Sequence, residues 1–155
     1  MPAYPIITIL TDFGLRDAYV AAMKGTILEL APNVKIIDIA HDIPRHDIIQ
    51  AAFILLNSSR FFPINTIHLV VVDPGVGTNR RRIIVRGNRY YYVGPDNGVL
   101  SLAIQEEGIK KIVQITEKKY MRSEITATFE GRDIFAPVAA HLAQGVPIES
   151  FGRKI

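Results

Sequence analysis

Leu69-Val70-Val71-Val72-Asp73-Pro74-Gly75-Val76-Gly77-Thr78-Asn79-Arg80 is the stretch that decides the fold of this chain. Four consecutive apolar residues, three of them β-branched, read as a strand buried on both faces. Such strands belong to parallel sheets covered by helices. The run stops at Asp73, and Pro74, Gly75 and Gly77 then force an irregular loop that carries Arg80. In open α/β sheets ligands gather beyond the carboxyl ends of the strands. Asp73 and Arg80 are therefore candidate site residues. On spacing alone, an aspartate capping a turn and an arginine lying in solvent fit equally well.

Working outward, residues 6–10 form a short apolar strand, broken by Thr11-Asp12-Phe13-Gly14. Tyr19, Met23, Ile27 and Leu30 fall at helical spacing, and Ala31-Pro32-Asn33 ends that helix. Residues 34–39 are a second strand, and a polar loop runs from His41 to Asp47. The next helix carries Ile49, Ala52, Phe53 and Leu56 on one face, ahead of the strand at 66–72. A hairpin follows, with strands at 83–85 and 90–93 turning at Gly87-Asn88. Then come a tight loop at 94–98, a short helix near 100–104 and a strand at 112–115. A last helix opens at Asp133 and tolerates Pro137 in its first turn. The β-α-β-α-β order predicts an α/β fold: a largely parallel central sheet flanked by helices. Residues 1–150 are expected to make one domain, with 151–155 beginning a linker.

A chain of 155 residues buries one good core. Its apolar fraction of 48% and charged fraction of 21% are those of a soluble globular protein. No continuous apolar run approaches the roughly 18 residues of a membrane span. Met-Pro-Ala-Tyr-Pro at the start is unlike a signal peptide, so a cytoplasmic location is expected. With no cysteine, disulfides, thiol chemistry and cysteine-ligated metals are excluded. The net charge of +3 concentrates in Arg80-Arg81-Arg82, with Arg86 and Arg89 nearby. Tyr90, Tyr91 and Tyr92 alternate faces in a strand and make no stacking platform. The arginines read as solvated charge, and no nucleic-acid partner is expected.

Asp12 follows the first strand, where a carboxylate either caps the next helix or accepts hydrogen bonds from a ribose. His41, Asp42, His46 and Asp47 have the chemistry of metal ligands. A metal-dependent phosphohydrolase is the corresponding function, although Asp47 fits a helix cap and His46 a pocket wall equally well. His68 and His141 read as packing or surface residues. The 73–78 loop mimics a phosphate loop but lacks the Walker spacing, and neither a G-x-G-x-x-G fingerprint nor a G-x-S-x-G elbow occurs.

Five segments together carry a family resemblance: T-D-F-G at 11–14, H-D-I-P-R-H at 41–46, V-D-P-G-V-G-T-N-R at 72–80, P-D-N-G at 95–98 and T-F-E-G-R-D-I-F-A-P at 128–137. In this order they resemble the S-adenosyl-L-methionine hydrolases, or SAM hydroxide adenosyltransferases, relatives of the fluorinating and chlorinating enzymes. The resemblance implies hydrolysis of S-adenosyl-L-methionine to adenosine and L-methionine by water attack at the ribose C5′. It implies that Asp73 and Arg80 flank that water, with Glu130 at the third position of the catalytic network. Asp12 would grip the ribose, with Phe13, His46, Asn97 and Gly131 also binding substrate. No cofactor or metal is implied. The resemblance implies homotrimers whose sites lie between this domain and a C-terminal β-barrel domain of a neighbour, a domain expected to lie outside these 155 residues. On that basis these 155 residues alone are expected to bind substrate weakly and to turn it over little.

Two features modify the implied chemistry. Gly131 stands where fluorinating relatives carry a serine, and Asp73 where they carry a tyrosine, so halide use is disfavoured. Glu130 stands where the hydrolases usually carry histidine. Three outcomes are open. Glu130 and Asp73 share a proton; or water activation fails, leaving a silent adenosine- or S-adenosyl-L-methionine-binding module; or Glu130 is a structural partner of Arg132 or Arg80.

Overall fold

In the computed structural model, which describes residues 4–155, the apolar runs assemble into one seven-stranded sheet. The strands are β1 (Ile6–Thr11), β2 (Lys35–Ala40), β3 (Ile67–Val71), β4 (Arg82–Gly87), β5 (Tyr91–Pro95), β6 (Ile109–Ile115) and β7 (Gly152–Lys154). The helices are α1 (Tyr19–Leu30), α2 (Ile48–Ser59), α3 (Ser101–Glu107) and α4 (Ala136–Ala143). Strand order is β2-β1-β3-β5-β4-β6-β7. No helix among the described residues is long and apolar enough to cross a membrane.

The α/β class holds, and the sheet is mixed. Pairings from β2 through β1 and β3 to β5 are parallel, whereas β5–β4, β4–β6 and β6–β7 are antiparallel. Crossovers through α1 and α2 set β1, β2 and β3 parallel, and the β4–β5 hairpin begins the antiparallel half, which β6 and β7 extend across longer connections.

Alternation along β3 divides the core. Leu69 and Val71 face a layer built by Met23 and Ile27 of α1 and Val138 of α4. Val70 and Val72 face the opposite layer, where Ala51 and Leu55 of α2 and Ala103 of α3 pack. Helix α2 presents a different face from the one expected. Ala51, Ala52, Leu55 and Ser59 are buried, while Ile49 is 71% and Phe53 53% exposed. The helix is apolar nearly all round, so its periodicity leaves the inward face undetermined. His68 is a core residue: it lies level with Thr8 in the β1–β3 register, and its Nδ1 is 2.7 Å from Thr8 Oγ1. Burial pushes its imidazole down to about 3, so it stays neutral.

The helix expected to open at Asp133 starts earlier, as a π turn over Gly131–Phe135 that runs into α4. Pro137 has no N–H to offer the Asp133 carbonyl four residues back. That carbonyl instead accepts a 2.9 Å hydrogen bond from the Arg122 N–H, so the turn is stabilised by the preceding loop.

Residues 151–155, expected to begin a linker, are packed against the domain. Phe151 is fully buried, and β7 adds to the sheet beside β6, with Val113, Gln114 and Ile115 opposite Lys154, Arg153 and Gly152. A Cβ at Gly152 would overlap the Gln114 carbonyl oxygen, so β7 lies against β6 at a distance that only glycine allows. Gly152→Ala is expected to lower stability by about 1–3 kcal/mol in urea unfolding. A peripheral strand would leave the midpoint unchanged.

Candidate functional site

The carboxyl ends of β1 and β3 open into a cleft of about 550 Å³. Asp12, Phe13 and His46 form one wall, and Asp73, Glu130 and Gly131 the floor and the other wall. Six of the eight residues expected at the site therefore meet in one place. Arg80 does not line the cleft; it lies against Asp73 and Glu130. Asn97 is absent from the lining: its Nδ2 donates to the Val72 carbonyl at 2.9 Å, and its Oδ1 accepts from the Val99 N–H at 3.0 Å. It braces the loop after β5 against the end of the strand that delivers Asp73.

Two carboxylates, Asp73 and Glu130, face the cleft, and two arginines outside its lining hold them. Arg80 Nε donates to Asp73 Oδ1 at 2.9 Å and to Oδ2 at 3.1 Å, and Nη2 also donates to Oδ2. The same Nη2 donates to Glu130 Oε2 at 2.5 Å. Arg82 grips Glu130 with a fork, Nε to Oε2 at 3.0 Å and Nη2 to Oε1 at 2.5 Å. Asp73 and Glu130 are both buried. Burial alone would raise the Glu130 carboxyl, but the hydrogen bonds and charges of Arg82 and Arg80 outweigh it and hold the group below its ordinary value. Burial would lower the Arg80 guanidinium; its two carboxylate partners raise it instead. Glu130 is thus the partner of Arg80 and Arg82. Arg132 pairs with Asp133 instead, at 2.8 Å.

Arg82 is the residue that the sequence reading missed. The 80–82 cluster was expected to be solvated, yet two of its three members hold buried carboxylates. Only Arg81 faces outward, paired with Asp96 at 2.8 Å. The signal was present: positions 80 and 82 share a side in extended chain, with 81 on the other. Asp17, Tyr19, Arg45 and Phe129 also line the cleft without having been singled out. Phe13, Tyr19 and Phe129 form a three-ring wall with centroids 5.2–6.0 Å apart.

Two hydrogen bonds fasten the loop after β2 to the end of β1. The His46 N–H donates to Asp12 Oδ2 at 2.7 Å, and the Gly14 N–H to the His41 carbonyl at 2.6 Å. Asp12 does not cap α1, whose cap position is Ala18. The His41–Asp47 segment does not converge on a metal. His41 is buried, with one nitrogen 2.8 Å from Thr11 Oγ1 and the other 2.7 Å from Asp38 Oδ1. Asp47 caps α2, accepting from the Gln50 N–H at 3.0 Å. Among the described residues, no three His, Asp or Glu side chains group as a cation site.

Comparison with known proteins adds to this geometry. The family model described as the SAM hydroxide adenosyltransferase N-terminal domain matches residues 7–152. An (R)-S-adenosyl-L-methionine hydrolase of Salinispora tropica is 42% identical over 156 residues, covering 100% of this chain and 59% of that protein. One from Thermus thermophilus is 41% identical, covering 96% and 61%. A fluorinase of an Actinoplanes species is 31% identical, covering 100% and 60%. The crystal structure of an uncharacterized conserved protein from Thermotoga maritima superposes with a TM-score of 0.95 at 42% identity, over 96% of this chain and 57% of that one. The chain spans about three-fifths of the length of the curated relatives it matches.

The ion network makes stability depend on pH. Folding lowers the Glu130 carboxyl from 4.5 and the Asp133 carboxyl from 3.8. Their contribution is complete above those values and is lost as pH falls through the folded ones. Glu130→Gln is expected to cost about 3 kcal/mol at pH 7 and to flatten the acid limb of a melting-temperature profile. That magnitude is the low end for a broken buried pair, since Arg82 keeps 27% of its side chain exposed.

Proposed function

The chain belongs to the SAM hydroxide adenosyltransferase family, and from that membership we propose that it forms the catalytic half of an S-adenosyl-L-methionine hydrolase. The reaction is S-adenosyl-L-methionine plus water giving adenosine, L-methionine and a proton. One observation carries this reading: Asp73 sits buried on the floor of a cleft, held by the Arg80 fork, with Asp12 at the end of the neighbouring strand.

Water attacks the ribose C5′ in line with the sulfur. The new C5′–O bond forms as the C5′–S bond breaks, and its electron pair leaves on a neutral thioether. A sulfonium departs without an acid or a Lewis acid, so the site must hold and activate the water. Correct positioning can contribute roughly 7–11 kcal/mol of the barrier. Asp73 orients the water and accepts its proton. Arg80 fixes the Asp73 carboxylate and is a positioning residue, acting from behind it. Asp12 has an oxygen left for a ribose hydroxyl after accepting the His46 N–H. Phe13, Tyr19 and Phe129 supply an apolar wall for the nucleoside.

Gly131 offers no hydroxyl to a halide, and a Cβ there would meet Met23 Sδ at 3.3 Å and Val71 Cγ1 at 3.4 Å. Hydrolysis is favoured over halogenation accordingly. The reading places the working enzyme in the cytoplasm as a homotrimer. Its cleft would be closed by a neighbour's C-terminal domain across a mouth where Tyr19 is half-exposed.

The test is incubation with S-adenosyl-L-methionine in ¹⁸O-water. Equimolar adenosine and methionine are expected by chromatography, with the label in the adenosine 5′-hydroxyl and no 5′-halo product in chloride or fluoride. Asp73→Asn is expected to lower kcat by about 10²–10⁴-fold with a smaller change in KM. Tight binding of substrate without product would favour the silent binding module.

A further inference from the structure

Glu130 is an unusual choice for a buried position beside another carboxylate. Two like charges in one dry site raise the affinity of one of them for a proton, and a shared proton on Asp73 would remove the acceptor that the hydrolytic reading requires. Arg80 cannot prevent this alone, because a single guanidinium then serves two carboxylates. Glu130 has a second guanidinium. Arg82 is the first residue of β4, its backbone is fixed opposite Pro95 of β5, and its fork takes one bond to each Glu130 oxygen. Asp73, Glu130, Arg80 and Arg82 sum to zero charge.

We propose that Arg82 is a positioning residue that neutralises Glu130 through its fork, so that Arg80 is left to hold Asp73 as the proton acceptor although Glu130 lies one guanidinium away. The proposal rests on the hydrolytic reading and adds the residue that makes a glutamate workable at position 130. What offsets the second carboxylate is the charge of Arg82, and its fork sets that charge against both oxygens of Glu130. Other charged groups near the floor leave the balance to Arg82. Asp12, Asp17, Arg45, His46 and Arg132 line the cleft. Arg132 and Arg122 both pair with Asp133, at 2.8 and 3.3 Å.

The experiment follows the carboxyl carbons of Glu130 and Asp73 by ¹³C NMR titration of the chain, alongside the pH dependence of kcat. In Arg82→Gln the pair is expected to take up a proton at a midpoint raised by about one pH unit or more. The acid limb of kcat should move with it, about tenfold in rate for each unit, while KM changes little. Arg82→Lys keeps the charge and is expected to restore most of the native midpoint. The double variant Glu130→Gln/Arg82→Gln returns one carboxylate to one guanidinium and is expected to titrate Asp73 as in the native chain. Unchanged carboxyl midpoints in Arg82→Gln would overturn the proposal. If that variant does not fold, a raised midpoint in Arg82→Lys would do so. Absence of turnover once the C-terminal domain is supplied would count against the hydrolytic reading, while the titration would still decide the role of Arg82.

Discussion

Two carboxylates buried against two guanidiniums are the constraint around which this domain is organised. An unpaired buried charge costs several kcal/mol, so neither carboxylate is tolerable without its guanidinium. The groups come from the loop after β3, the start of β4 and the residue preceding the π turn. Glu130 is 50 residues from Arg80 and 48 from Arg82 in sequence. The network forms only when the parallel half of the sheet, the hairpin and the π turn are all in place. Local electrostatics and long-range topology thus enforce one another here.

The backbone around the cleft is held with equal economy. Asp12 and Thr11 at the end of β1 engage His46 and His41 of the loop after β2, so the expected ribose-binding carboxylate also fixes the neighbouring loop. The π turn brings Gly131 against Met23, Val71 and Phe13, where even a methyl group would press on its neighbours. Glu130, the residue before that turn, lies beside the two arginines. Pro137 helps by leaving free the carbonyl that Arg122 takes.

Much of this was legible in the sequence for physical reasons. The run at 69–72 and the glycines after it could only be a buried strand ending in a constrained loop, which located Asp73 and Arg80. The hairpin was marked by Gly87-Asn88. The failures have causes as definite. Helix α2 is apolar on most sides, so Ile49 and Phe53 looked as suited to the core as Ala51 and Leu55. The last strand consists of Gly-Arg-Lys, polar residues whose place in the sheet depends on a glycine fitting against Gln114 rather than on apolar pattern. Arg82 was hidden among arginines, because charge reads as solvated unless its partner, distant in sequence, is known.

On the hydrolytic reading, the neutrality of this network also suits the substrate. S-adenosyl-L-methionine brings a positive sulfonium that is lost as the C5′–S bond breaks. A bare carboxylate near that sulfur would stabilise the ground state more than the transition state, and such binding slows the chemical step. Asp73 tied to Arg80 keeps its lone pairs for water while its charge is largely balanced. Glu130 tied to Arg82 adds no net attraction for the sulfonium. Four charges that sum to zero therefore support proton acceptance without trapping the cation. The same logic accommodates Glu130: with its own guanidinium beside it, this carboxylate leaves the field at the reacting carbon nearly unchanged.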